Sequence, residues 1–335
     1  MPIALALLLG CGTTETPEAA EDPVEAPPPV PAPRHVTLFG AIPDDQFGGS
    51  PPPAPLVELG RKLFSDQRLS ADRSRSCASC HPLDRYGTTD IPSVSLAEGT
   101  VPGRNPPSVY NAGMQFALHW DASQPSLEAQ AQHALIDPVQ SGFADAAAVT
   151  AALGSMSDYA APFAAAFPDS PDRRSLAQAG QALAAFERSL TTPHSRIDRY
   201  LAGDKEALTG EEMEGFERFV ELGCNSCHSG ALFGGGQVQR LGAVEPYDTP
   251  DLGRQAVTDR EADRHLFRVP SLRNVAETGP WLHDGSVDDL AEMVRRMAKH
   301  QLGMETSDAD VTKIVGFLQT LTGDLPSTEP TPPPQ

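Results

Sequence analysis

Five cysteines constrain this chain more than anything else in its 335 residues, because four of them fall in two copies of one short pattern. Cys77, Cys80 and His81 form C-x-x-C-H within "SCASCHPLD", and Cys224, Cys227 and His228 form it again within "GCNSCHSG". Cysteines at this spacing share one helical turn and can bond both vinyl groups of a haem, while the adjacent histidine reaches the iron from one side. Zinc is the rival. The two C-x-x-C pairs could together make a four-cysteine site, but that scheme leaves both following histidines without a role. The pattern therefore predicts two covalently bound c-type haems, with His81 and His228 as proximal ligands.

The fifth cysteine, Cys11, ends the apolar run "MPIALALLLGC". Leu8-Leu9-Gly10-Cys11 resembles a bacterial lipobox, so residues 1–11 read as a lipoprotein-type signal with lipid attached at Cys11. Covalent haem attachment in bacteria also takes place outside the cytoplasmic membrane. Both signals predict a periplasmic protein held to a membrane only through a lipid anchor.

Residues 12–55 read as a tether. Thirteen of the 33 prolines lie in residues 1–55, a composition that gives an extended spacer rather than a packed element. A formal net charge of −20 argues against nucleic acid and for a basic protein partner.

Beyond Leu56 the periodicity is helical. Leu127, Ala131 and Leu135 lie four apart on one helix face, and Leu176, Leu183, Phe186 and Leu190 form a longer stripe. Thr209 reads as an N-cap ahead of a helix that runs into the second haem motif. Ser286 reads as the cap of another, with Asp288 and Asp289 at its positive end, and Gly323 as the close of the last helix. The predicted class is all-α: two cytochrome c-like helical domains, 56–190 and 191–325, each around one haem, then a disordered tail over 326–335. The sequences around the two motifs differ enough that no close internal repeat is expected. Sixth ligands are less determined. Met114 is the one Met or His between His81 and His119, and His265, His283, Met293, Met297, His300 and Met304 follow the second motif.

From "LGRKLFSDQRLSADRSRSCASCH" to "GFLQTLTGD" the chain resembles the bacterial di-haem cytochrome c peroxidases and the wider group that includes MauG. "GRNPPSVYNA", "LHWDASQPSLEAQA", "FERSLTTPHSRIDRYLAGD" and "GPWLHDGSVDDLAEMVRRMAKHQLG" carry the likeness, which covers roughly residues 56–325. The resemblance implies that hydrogen peroxide is reduced at the His81 haem. Electrons would come from a small cytochrome c or cupredoxin and enter at the His228 haem. It implies Met297 as the axial ligand of that second haem, Trp120 as a relay between the two, and Asn105, Thr278 and Pro280 as an interdomain calcium site. Family members are often homodimers, which carries over as an expectation.

Two departures stand out. Where many members carry a distal histidine, this chain reads "PSVSLAEGT" with Leu96, which predicts a peroxide site open even when fully oxidised. The family's proton-transferring glutamate is Gln140 here, beside a retained Gln130. An amide orients peroxide but cannot take and return a proton, and losing such a group commonly costs about 10²- to 10⁴-fold in rate. Asp137 is a candidate substitute, with a turn-forming role before Pro138 as its alternative. Two other readings follow. One is a MauG-like oxidase of a protein substrate, against which stand Met297 in place of a tyrosine and Leu222 in place of a surface tryptophan. The other is a non-catalytic di-haem carrier or sensor.

Overall fold

The computed structural model describes residues 37–43, 51–89, 103–170 and 174–326. Cys11, most of the proline-rich segment, Leu96 and nearly all of the tail lie outside the described residues.

Helices α1 (Ala54–Phe64), α2 (Cys77–Cys80), α3 (Leu127–Ile136), α4 (Ala146–Ser155), α5 (Ala160–Ala166) and α6 (Leu176–Arg188) build the first half. Helices α7 (Arg196–Leu201), α8 (Gly210–Glu221), α9 (Gln255–Thr258), α10 (Leu290–Leu302) and α11 (Asp308–Gln319) build the second. Strands β1 (Val238–Arg240) and β2 (Leu266–Arg268) pair antiparallel, with Gln239 opposite Phe267. No described helix is long and apolar enough to cross a membrane.

Each half is organised by one helix crossing. In the first, α1 lies against α6 so closely that a methyl group at Gly60 would sit 1.9 Å from the Ala182 carbonyl oxygen. In the second, α8 lies against α11, and a methyl at Gly215 would sit 2.0 Å from the Lys313 carbonyl oxygen. Glycine is required at both positions because backbone meets backbone. Phe186 packs beside the first crossing and Phe317 beside the second, both fully buried. A core of Leu59, Leu63, Phe64, Leu135, Leu153, Phe163 and Phe186 fills the first half, and one of Ile197, Phe216, Phe219, Phe233, Ile314 and Phe317 fills the second. Each such aromatic or aliphatic side chain contributes about 1.5–3 kcal/mol by leaving water.

The correspondence extends beyond the helices, although the sequences around the two motifs share no close repeat. Asn111 and Asn274 both adopt left-handed backbone, with φ of 59° and 60°. Asn111 donates its backbone N–H to the Leu190 carbonyl and accepts from Thr192 N, while Asn274 donates to the Leu321 carbonyl and accepts from Gly323 N. Both side-chain amides then donate to one hydroxyl, Thr192 Oγ1, at 2.8 and 2.9 Å. The two halves are thereby clasped at one buried oxygen.

Three local expectations change. Residues 37–43 are not tether: Phe39 stacks on Phe233 with ring centroids 4.4 Å apart, and Ile42 is buried. Two apolar anchors suffice there, although flanking prolines dominate the composition. The helix expected to start at Ser286 starts at Leu290, capped by Asp289, because Trp281 N–H bonds the Val287 carbonyl and keeps the chain extended to that point. Gly323 does not close α11. It is needed because a side chain there would meet the Thr192 carbonyl at 2.0 Å.

Candidate functional site

Both C-x-x-C-H motifs present their histidine in the same way. A helical turn bonds His81 N–H to the Cys77 carbonyl, and likewise His228 N–H to the Cys224 carbonyl. Each ring is then oriented from behind: His81 Nδ1 lies 3.0 Å from the Gly87 carbonyl oxygen, and His228 Nδ1 lies 3.1 Å from that of Phe233. A carbonyl only accepts, so Nδ1 carries the proton and Nε2 keeps a free lone pair, the tautomer a metal ligand requires. Burial pulls both imidazoles below the ordinary histidine value, and the Gly87 and Pro107 carbonyls in one site, Phe233 and Pro270 in the other, offset part of that. Pro107 precedes Asn111 as Pro270 precedes Asn274, so the repeat includes the backing of each histidine.

The cysteines do not form a zinc site. Cys77 packs against the first core and Cys224 against the second. Burial raises the Cys77 thiol to about 12, with the Glu187 charge adding, and raises Cys224 to about 11. Thiols held protonated are poorly suited to thiolate ligation of a metal. Among the described residues no cluster of three or more His, Cys, Asp or Glu could hold a metal ion.

Beside His228 opens a cavity whose lining also includes Cys224, Cys227, Met293 and Met297. The two methionines sit four apart on α10, packed against Leu241, Phe267, Leu282 and Val287. The structure brings both to the cavity and does not choose between them. His283 also lines it, but its Nε2 lies 3.1 Å from Thr249 Oγ1 and its ring stacks on Phe267. His300 and Met304 do not line that cavity. This largely apolar space, with a free imidazole nitrogen on one wall and thioethers on the lining, fits a haem.

Trp120, Asn105, Thr278 and Pro280 line the same cavity. Trp120 Nε1 donates to the Asn105 carbonyl at 2.7 Å, and its own carbonyl accepts from Arg268 N at 2.7 Å, so the indole is fixed from both halves. Asn105 N donates to the His283 carbonyl, and its side-chain amide points Nδ2 at the Pro280 carbonyl at 2.7 Å. That leaves Asn105 Oδ1 buried with no partner. An orphaned carbonyl oxygen next to backbone carbonyls is a donor set that fits a hard cation. Beside it, Arg104 bonds Asp251 through Nε and Nη2 at 2.8 and 2.9 Å and reaches Asp121 at 2.5 Å. Burial alone would raise both carboxyls, but the guanidinium outweighs it and holds them below the usual range.

Gln130 lies on α3, and Gln140 in the turn after it. That turn is tied to the strand of chain entering the first motif: Ala71 N donates to the Ser141 carbonyl at 2.8 Å, and Arg75 Nη1 to that of Val139 at 3.2 Å. Asp137 Oδ1 accepts from the backbone N–H of Val139 and Gln140, so Asp137 is the turn former. Three residues escaped sequence reasoning. His119 and His133 meet edge to face with ring centroids 5.4 Å apart. Glu187 is buried on α6 near Cys77, and burial raises its carboxyl to about 8. His133 follows Gln130 by three residues on α3, but nothing in the sequence places His119 beside it, and Glu187, inside "FERSL", offered no signal.

A profile of the family described as di-haem cytochrome c peroxidase matches residues 54–206. The cytochrome c551 peroxidase of Nitrosomonas europaea is 39% identical over 280 residues, covering 83% of each chain. That of Pseudomonas aeruginosa is 36% identical, covering 89% of this chain and 90% of that protein. The crystal structure of a MauG-like protein associated with microbial copper homeostasis superposes with a TM-score of 0.69 at 27% identity, over 85% of this chain and 93% of that one.

Proposed function

This chain belongs to the di-haem cytochrome c peroxidase family, and from that premise we propose that it reduces hydrogen peroxide to water with electrons from a small cytochrome c or cupredoxin. His81 would hold the haem that supplies the peroxide-reducing iron, and His228 would hold the haem that supplies the electron-accepting store. Cys77, Cys80, Cys224 and Cys227 hold the two porphyrins by thioether bonds. Met297 would be the second protein ligand of the haem that His228 holds, where a thioether would raise the reduction potential as an electron-accepting haem needs. Trp120 bridges the halves as relay, and Gln130 and Gln140 orient peroxide. Asn105, Thr278 and Pro280 hold a calcium ion, which the orphaned Asn105 Oδ1 supports. A periplasmic, lipid-anchored protein, modified at Cys11 and dimeric, belongs to the same proposal.

The observation that carries this reading is the matched pair of half-buried imidazoles, each proton-locked at Nδ1, with thioethers lining the cavity of one. The MauG-like alternative is disfavoured by those methionines and by Leu222, which is buried rather than offered to a partner. Electron paramagnetic resonance of the oxidised holoprotein should give one high-spin and one low-spin ferric signal. Reduced cytochrome c should then drive peroxide consumption. Two low-spin signals, or turnover no faster than free haem, would refute the proposal.

A further inference from the structure

Gln140 leaves the proposed reaction short of one group: something must take a proton from one peroxide oxygen and return it to the other. We propose that the His119 imidazole, backed by His133 and Asp137, performs this transfer in the N-terminal haem pocket. The inference rests on reading that pocket as the peroxide site.

The placement comes first. Gln130, His133 and Asp137 follow one another at spacings of three and four, so they share one face of α3 and its cap, while Leu127, Ala131 and Leu135 bury the other. Whatever Gln130 faces, His133 flanks one turn later. The loop over this face brings in His119, whose ring meets that of His133 edge to face. His133 Nδ1 is buried without a partner, and its Nε2 lies 3.9 Å from Asp137 Oδ2. The pair is one donor or acceptor short of satisfaction.

His119 is also held. Its Nδ1 lies 3.1 Å from Ser123 Oγ, which fixes the ring and leaves Nε2 available. Its carbonyl accepts from Arg268 Nε at 3.1 Å, and the next carbonyl, of Trp120, from Arg268 N. The backbone at His119 is left-handed, with φ of 65°, an uncommon conformation for a residue other than glycine. Such rigidity is what a proton-transfer group needs.

The charges around it set a usable protonation state. Burial is the largest influence and lowers the imidazole below its ordinary value; His133 and Arg104 add to that, while Asp121 and Asp137 oppose it. The ring is therefore neutral near pH 7 and can accept a proton. In cleavage, the imidazole takes the proton of the retained peroxide oxygen and passes it to the other as the O–O bond breaks heterolytically. One water leaves. Bound haem would supply the two electrons this cleavage needs, the redox donor would restore them, and two solvent protons would complete the second water.

The test uses the full-length holoprotein and His119→Asn, since asparagine tolerates left-handed backbone. Peroxide reactivity should fall about 10²- to 10⁴-fold, and the acid limb of the wild-type rate, which lies below the ordinary histidine value of about 6.5, should vanish. Gln140→Glu added to His119→Asn should restore rate, with a limb moved to carboxylate pH. Cyanide binding to the oxidised protein gives a second readout, because the proton of HCN must be taken up nearby. Its pH dependence should change in His119→Asn. A variant with the wild-type rate and limb, or with unchanged cyanide linkage, overturns the assignment. Wild-type protein that consumes no peroxide, yet loses the cyanide linkage in His119→Asn, would sink the peroxidase reading while upholding His119 as the pocket base.

Discussion

Replacing Arg273 by methionine tests how the His228 site is held. Arg273 and Asp198 form an ion pair at 2.8 Å with side chains only 1% and 7% exposed. The guanidinium also donates to Ser195 Oγ, to the Ala231 carbonyl at 2.7 Å and to the Gly40 carbonyl at 2.8 Å. It thus ties residues 37–43, the start of α7 and the loop whose Phe233 carbonyl orients His228. Removing one partner of a buried pair costs about 3–5 kcal/mol, because the other charge stays behind. Asp198 would keep Ser195 N–H, Ser195 O–H and Ile42 N–H, which pulls toward the low end. Two carbonyls losing their donors, at about 1–3 kcal/mol each, pull the other way. The expected loss for Arg273→Met is therefore about 3–5 kcal/mol, insensitive to salt because the pair is dry. Urea denaturation of the holoprotein at two ionic strengths measures it. Pairing Arg273→Met with Asp198→Leu should recover stability, since no charge is then stranded. A single-variant loss below about 1 kcal/mol, the scale of a surface pair, would refute the argument.

Other consequences are as direct. Gly60→Ala and Gly215→Ala should each lose about 3 kcal/mol or more in thermal denaturation, at or above the upper end for overpacking, because the new methyl meets fixed backbone. Gly154→Ala, on α4 with nothing within 4 Å, should instead be neutral or gain about 0.5–1 kcal/mol. Glu187, raised from 4.5 to about 8 in the fold, keeps its proton there after the unfolded chain has lost it. Its contribution to stability is present below about pH 4.5 and declines as pH rises toward 8, by up to about 1.4 kcal/mol per unit. Glu187→Gln should flatten that decline in denaturation midpoints between the two pH values. Met297→Ala should convert the low-spin C-terminal signal and lower its potential, whereas Met293→Ala should leave both; the reverse would exchange their roles.

The haem motifs and the long helices were legible because their determinants are local. Thr209 caps α8 as its spacing to Glu212 indicates, and Leu127, Ala131 and Leu135 turn inward together. The repeat was not legible. Its marks, Gly60 and Gly215, Phe186 and Phe317, Asn111 and Asn274, are single residues separated by unequal loops, and they align only once backbones touch. His119, His133 and Glu187 were missed for a related reason. Nothing in a lone histidine or in "FERSL" reveals which side chains a distant loop will bring beside it or how much water will be excluded. Ser286 failed as a cap because a bridge between residues far apart in local pattern, Trp281 and Val287, decided where the helix could begin.

That hidden repeat bears on how one scaffold serves two tasks. Behind His81 and His228 the chain builds the same thing twice: a half-buried imidazole, a carbonyl on Nδ1, a proline carbonyl close by, and an asparagine clasped to Thr192. Matched backing would give two bound haem irons similar histidine ligands, so a division of labour would arise from the elements that differ between the halves. There the elements differ in kind. The C-terminal half offers α10, with Met293 and Met297 set among Leu241, Phe267 and Val287, a soft and dry environment that favours the reduced metal. The N-terminal half offers the polar face of α3 with His119 above it, groups that donate, accept and tolerate charge as a bond breaks. Neither α10 nor the 119–123 loop is part of the repeated skeleton. A change confined to either should therefore alter potential or reactivity at one haem and leave the fold and the other haem as they were.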